Sequence, residues 1–458
     1  MASRDGLLFV NVNRPDEIKN KGTQRAIRRR VMRDIGRSRR KPRDTPTVTF
    51  VGQPHPAHNS QSSIRPALES SPLPIVLNQR ARELVHFIFQ VQSEAEYRYR
   101  PFRDIWFKMA LLDASAFKLS MANAAMFLDE INHPTTFQYE RCGEALAYYG
   151  QSVREVTDRL ADPVDRASEG LMTTVLGLIC HDLYVGTMDR WAYHIQGLKR
   201  MVDIRHGFFG IDNNLQLFAS WFDIMGSVVG DTPPRLVEHS SFSNIPPNPV
   251  SRKSPLYGII EDIKLMFNTS SGLALALERI AAVCNFVDAH CHQTTFWRQE
   301  EDLSPLTMLG PPTYLLLSLP RFSSSSASGS QYAHEMGRLA LLIFLAGLKI
   351  TYGLAAPEMD LLQDKLCRLI QDDNMHLENH CFIPRLQNWA IVIAILCQTS
   401  GPQKATYTKA IAHRMSTNGY KNGAAVLEDA RSILWIECLA SSLSIEYLIA
   451  EIDQAGQI

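Results

Sequence analysis

Apolar residues recur along most of this 458-residue chain at intervals of three and four, the spacing of one helix face. Ile105, Met109, Leu112, Ala116 and Leu119 mark one such face. Met172, Val175, Leu176, Ile179 and Leu183 mark a second, and Trp191, Ile195, Leu198 and Val202 a third. Later helices are predicted over 332–352, 383–397 and 430 to about 452, the last carrying Ile433, Trp435, Ile436 and Leu439. The stretch 383–397 is apolar nearly all round, which places it in the middle of the core. No alternating run predicts a strand, and no fixed period predicts a solenoid. The fold class that follows is all-α, a large irregular multi-helix domain over 79–458. Loops are expected near 231–255, where prolines forbid a continuous helix, and near 323–331, which is serine-rich.

The periodic pattern begins only at about residue 79. Residues 1–45 hold 14 Lys and Arg against five Asp and Glu, a net of +9. The remainder holds 33 basic and 42 acidic residues, so the formal net charge of zero hides a basic arm on an acidic body. The arm is expected to be largely disordered, with a short helix over 24–35 on which Ile27, Val31 and Ile35 recur every four residues. Residues 46–78 are rich in proline, serine and histidine and form a disordered linker.

Composition adds bounds. The chain is 45% hydrophobic and 21% charged, enough to bury a sizeable core. Its eight cysteines are scattered inside helical patterns, which favours reduced thiols of the cytosol or nucleus over a disulfide framework. The N-terminus has no secretory pattern. The longest strongly apolar run, 389–397, falls far short of the ~18–20 residues a bilayer crossing needs, so no membrane span is expected.

Candidate chemistry is sparse. The phosphate-loop, dinucleotide and nucleophile-elbow patterns are missing. One S-x-x-K, Ser115 to Lys118, lacks partner motifs and reads as ordinary helix. Cys284, His290, Cys291 and His292 are metal-ligand types, but no C-x2-C pair accompanies them, and Cys284 and Cys291 share a helix face as core residues do. His181, His194 and His206 lie on neighbouring helices and could converge, although lone histidines more often serve packing. No nucleophile, base and orienting group assemble, so no enzyme, catalytic residue, cofactor or metal is expected.

The basic stretch admits three readings. Arg37, Arg39, Arg40, Lys41 and Arg43, with Arg28, Arg29 and Arg30 upstream, form a two-part nuclear import signal. The same side chains, with Arg33, can neutralise nucleic-acid phosphates without reading sequence. Or the arm is a solvated tail, or a basic helix beside an anionic membrane.

The body then supplies a resemblance. Residues 191–208, WAYHIQGLKRMVDIRHGF, resemble the W-x-x-H-x-x-G-x-x-x-(L/I/M)-(I/V/L)-x-x-R-G-G signature of the fungal-specific transcription factor domain. Trp191, His194, Gly197, Arg205 and Gly207 match, and His206 stands where that family commonly has the first of two glycines. FKMALLDASAFKLSMANAAMFLDE, YERCGEALAYYGQSVREVTDRLAD and EGLMTTVLGLICHDLYVGTMDRW precede it in the family's order, and WFDIMGSVVGDTPPRL follows as a W-x-D and a proline-marked turn do there. The N-terminal FVNVNRPDEIK and the basic stretch after it resemble a subset of such proteins in which no zinc cluster precedes the helical region. A zinc cluster needs six cysteines, and the first here is Cys142, inside the body.

The resemblance implies a nuclear regulator, with residence shared with the cytoplasm left open. Its partners would be other transcription regulators or the import receptor, with weak DNA contact through the arm and homo- or heterodimers. The rival expectations are a cytosolic binding or scaffold module and a helical sensor of small molecules. Physically, the signature reads as packing: Trp191 buries a large surface, and mid-helix Gly197, costing about 1 kcal/mol relative to alanine, needs a close neighbour to offset it.

Overall fold

Five helices start where a short polar side chain, of Asn78, Asp113, Ser168, Asp212 or Asn422, accepts from an amide of the first turn. In the computed structural model, described residues are 73–90, 105–237, 250–267, 272–293, 296, 303–322, 329–371, 383–397, 402–439 and 442–456. The basic arm with its expected helix, most of the linker, and residues 238–249 and 323–328 of the two expected loops lie outside them. Among the described residues the structure is helical, with no strand.

The first helix, α1 (Gln79–Gln90), begins where the Asn78 side chain accepts from the Ala81 amide. Ile105 to Leu119 is not one helix. Helical turns at 105–110 end in a turn that leaves Leu112 exposed, and Asp113 then caps α2 (Ala114–Asn132) by accepting from the Ser115 and Ala116 amides. The apolar spacing crosses this break, but Leu112 in its middle faces solvent and the Asp113 cap starts a new helix. A short 3-10 turn (Tyr139–Arg141) leads to α3 (Gly143–Leu160). Ser168 caps α4 (Glu169–Val185), which ends on left-handed Gly186. Then come α5 (Met188–Ile204) and α6 (Asn213–Gly230), the latter capped by Asp212.

The second half holds α7 (Pro255–Phe267), α8 (Gly272–His290), α9 (Ser304–Ser318) and α10 (Gly329–Thr351). Helix α10 starts inside the stretch expected to be loop up to 331, since Gly329–Gln331 already carry the first helical turn. It is followed by α11 (Met359–Gln371), α12 (Ile383–Leu396) and α13 (Pro402–Thr417). The single helix expected over 430–452 is two: α14 (Gly423–Arg431) and α15 (Ser442–Ala455). Between them Ile433, Leu434 and Ile436 are buried as an irregular segment, anchored where the Trp389 indole donates to the Leu434 carbonyl at 2.8 Å. Its apolar spacing comes from plugging the core rather than from helical turns.

Neighbouring helices pack in pairs: α2 on α3 and α4, α4 on α5, α9 on α6 and α8, and α10 on α11 and α12. Helix α12 is buried without a break over 386–395, with Trp389, Ala390, Ile391, Val392 and Ala394 fully buried against α10 and α13, and α10 is likewise buried over 332–349. One large apolar core runs from Trp106 to Ile452. A smaller one collects Leu84, Phe107, Phe117 and Met121 near α1. Among the described residues no helix is long and apolar enough to cross a membrane, and Cys142, Cys180, Cys284, Cys291, Cys367 and Cys397 are free thiols.

Candidate functional site

The signature helix α5 is amphipathic. Trp191, Ile195, Leu198, Met201 and Val202 are buried. The Trp191 indole lies over Gly226 of α6, whose missing side chain makes the room, and its nitrogen donates to the Phe222 carbonyl at 3.2 Å. Arg235 stacks on that ring, 4.6 Å from its centroid. Gly197 differs. A Cβ built there meets nothing within 4 Å beyond its own helix among the described residues, so the close neighbour expected for it is not found inside the domain.

His194 points from α5 to the carboxylate of Asp182, near the end of α4, at 2.7 Å. Asp182 is fully buried and also takes Arg190 at 3.0 Å and the hydroxyls of Tyr149 and Thr187 at 3.3 Å each. Next to it, buried His181 bonds the Tyr139 hydroxyl at 2.7 Å and the Asn123 amide oxygen at 2.6 Å, with Tyr149 tilted against its ring. Burial pushes the His181 ring down to about 4, so it is neutral at neutral pH. Arg190 closes the cluster from outside over the Tyr149 ring. His181 and His194 therefore do gather at one polar centre, but on a shared aspartate and its neighbours. His206 does not join them.

At the end of α5, Arg205 donates to the Ala167 carbonyl at 3.0 Å. His206 and Gly207 both have positive φ, 59° and 117°. Their amides close the helix: His206 donates to the Asp203 carbonyl and Gly207 to that of Val202. This pair of bonds is a Schellman closure, which asks for a left-handed residue just past the helix.

The W-x-D and proline-turn segment forms a second centre. Buried Asp223 on α6 accepts from the Arg235 and Leu236 amides at 2.7 and 2.6 Å, pinning the turn after Asp231. Burial, which dominates here over the two amides, raises its carboxyl to about 6. Asp231, left-handed at φ 45°, caps α6 and accepts from both terminal guanidinium nitrogens of Arg338 from α10, at 2.8 and 2.9 Å. Lys365 of α11 joins at 2.6 Å and Arg321 at 3.3 Å. Arg338 is fully buried and also bonds Glu335. Burial alone would raise the Asp231 carboxyl, but Arg338 and Lys365 more than reverse this and hold it well below the usual carboxylate range.

Other candidates are engaged or isolated. Ser115 donates to Glu155 at 2.6 Å and Lys118 pairs with the same carboxylate, so the S-x-x-K residues serve a helix–helix bridge. A shallow concavity of about 370 Å³ lined by Asp113, Ala114, Ser115, Glu155, Asp158 and Arg159 lies beside them. Asp113 is spent on the α2 cap, Arg159 and Thr174. Cys284 is buried on α8, while Cys291 is half-buried beyond its end. Among the described residues no group of three or more His, Cys, Asp or Glu is placed to hold a metal ion. The arm residues Arg28, Arg29, Arg30, Arg33, Arg37, Arg39, Arg40, Lys41 and Arg43 lie outside the described residues.

Asp182, Asp223, Asp231, Arg338 and Lys365 were not singled out from the sequence. An aspartate inside an apolar helix, such as Asp182 in LICHDLYV or Asp223 in SWFDIMG, was the signal available, because a buried carboxylate demands partners.

The geometry defines an all-helical domain in which His194 and Arg205 of the signature act as internal ties from α5 to α4 and to the segment before it. The comparison with protein families agrees: the model of the fungal specific transcription factor domain matches residues 83–428. The chain belongs to that family. Comparison with curated proteins and with solved structures gave no match.

Proposed function

We propose that this protein is a nuclear transcription regulator that works through protein contacts rather than catalysis. The observation that carries the reading is the family match over 83–428, joined to a net charge of +9 in residues 1–45. In this reading Arg28, Arg29, Arg30, Arg37, Arg39, Arg40, Lys41 and Arg43 address the chain to the import receptor, and Arg33 adds to a sequence-independent hold on phosphates once inside. The helical body supplies the contact surface for other regulators. The polar centres support a non-catalytic role, since their carboxylates and histidines are consumed by internal bonds.

The test is the location of a fluorescent fusion of the full chain, intact and with Arg28, Arg29, Arg30, Arg39, Arg40 and Lys41 changed to alanine. The expected result is nuclear signal that the six substitutions abolish. Exclusion of the intact fusion from nuclei would sink the reading and leave a cytosolic scaffold in its place.

A further inference from the structure

Three exposed apolar side chains gather around one ion-pair centre where the start of α2 meets the end of α3. Arg159, in the last turn of α3, pairs with Asp113 ahead of α2 at 2.8 Å and with Asp165 in the following turn at 2.6 Å. The residue next to each member of that triad is apolar and open to water: Leu112 is 85% exposed, Leu160 47% and Val164 89%. Single apolar residues on a surface are ordinary. Three that each adjoin one shared ion-pair triad form a patch, and an apolar patch rimmed by polar groups marks a contact site. A concavity of about 370 Å³ opens at the same place, because Asp113 and Arg159 also line it.

We propose that this surface docks a segment of a partner protein that carries apolar side chains beside a lysine or arginine. The proposal rests on the reading of the helical body as the contact surface for other regulators, and adds where the contact falls and what fits it. Leu112, Leu160 and Val164 set the apolar half of that chemistry. Charge sets the other half.

Asp158 lines the concavity, is exposed, and has no ion-pair partner among the described residues. It stands in the last turn of α3, where the carbonyl end of the helix dipole disfavours a carboxylate. The cations nearby do not relieve it, since Arg159 is held by Asp113 and Asp165, and Lys118 by Glu155. Asp113, Glu155, Asp158 and Asp165 outnumber Lys118 and Arg159, so the surface is net acidic. A basic side chain from outside supplies the missing partner of Asp158, and its apolar neighbours cover Leu112, Leu160 and Val164. An amphipathic helix laid into the concavity meets both demands at once. An acidic segment would set carboxylate against carboxylate here.

Fluorescence anisotropy of a labelled synthetic helix titrated with the full chain tests it. The probe has leucine at intervals of three and four and arginine on the flanks, and its control has glutamate in place of arginine. The arginine probe should bind about tenfold tighter than the control or better, and more weakly as salt rises. Asp158→Lys should weaken it about tenfold, and Leu112→Ser combined with Val164→Ser about fivefold. Glu428→Lys, an exposed reversal on α14, which packs on α12 and α15, should leave it unchanged. All four positions are exposed, so circular dichroism melting should show each variant folded. Equal binding of the two probes would overturn the proposal. So would an arginine probe that does not bind, or one indifferent to Asp158→Lys and to the Leu112 and Val164 pair. Failure here is distinct from failure of the nuclear reading: a fusion excluded from nuclei sinks that reading with probe binding intact, and a nuclear protein that ignores the probe loses this surface alone.

Discussion

The two polar centres of the domain rest on the same device, a buried aspartate collecting donors, but they differ in reach. Asp182 gathers Thr187, Arg190 and His194 from within twelve residues, plus Tyr149 from α3. Asp231 gathers Arg321, Arg338 and Lys365, which lie 90 to 134 residues further along. The first ties α4 to the next helix. The second ties the end of α6 to α10 and α11, and so joins the two halves of the chain. Their surroundings differ as well: Arg190 and His194 keep partial access to water, whereas Arg338 is fully buried. A charge that can retreat to solvent is cheap to orphan, and one that cannot is expensive.

The comparison breaks most sharply with Asp231→Asn against Asp182→Asn. Asparagine tolerates the left-handed backbone at 231, so that variant removes charge and leaves the turn intact. It strands Arg338, whose remaining carboxylate is Glu335, and should destabilise by about 3–5 kcal/mol. Asp182→Asn should cost about 1–2 kcal/mol, since its amide oxygen can still accept and Arg190 can turn outward. Urea unfolding followed by circular dichroism measures both. The acid limb separates them further. Because the folded Asp231 carboxyl is depressed, its contribution is present above the unfolded value of about 4 and is lost as pH falls below that. The Asp231→Asn protein should lack this part of the acid loss. Equal costs for the two variants would contradict the contrast drawn between them.

That same difference in reach sets what the sequence could reveal. Helices with unbroken apolar spacing, such as α4, α5 and α12, follow from the pattern alone, and so does the all-α class. The break at Asp113 and the irregular plug between α14 and α15 do not. In both places apolar residues keep a helix-like spacing while a cap or a long-range anchor decides the backbone. The signature was legible as a packing motif at Trp191, whose seat is a glycine in the following helix, but not at Gly197, where no described residue beyond its own helix comes within 4 Å of an added Cβ. The Asp231 centre was illegible for a simpler reason. A pairing between residues more than a hundred positions apart leaves no local spacing to read.

Gly226 and Gly197 give the second way to sharpen the picture, at intermediate size. A Cβ on Gly226 would fall inside the Trp191 indole, and the ring cannot withdraw without losing its bond to the Phe222 carbonyl and its stack with Arg235. Gly226→Ala should therefore cost about 1–3 kcal/mol, the usual range for overpacking, and move the tryptophan emission. Gly197→Ala should instead be neutral or stabilising by up to about 1 kcal/mol in the monomeric domain. Thermal melting of the two variants side by side is the check. A destabilised Gly197→Ala domain would mean that α5 needs its glycine internally, against the open space seen above it.

The smallest effect concerns the one place where the chain departs from the family signature. The closure after α5 needs left-handed backbone at 206 and again at 207, and the signature supplies glycine at both. Here the first is histidine, held at φ 59° by the bonds from its own amide to Asp203 and from the Gly207 amide to Val202. An L-residue in that region costs about 1–2 kcal/mol relative to glycine, and part of this returns as the greater freedom glycine has when unfolded. His206→Gly should thus stabilise by up to about 1 kcal/mol in urea unfolding, while Gly207→Ala, at φ 117°, should destabilise by at least as much. If His206→Gly instead lowers stability, the imidazole makes a contribution at the end of α5 that exceeds its backbone strain, and histidine at this position is a gain rather than a tolerated departure.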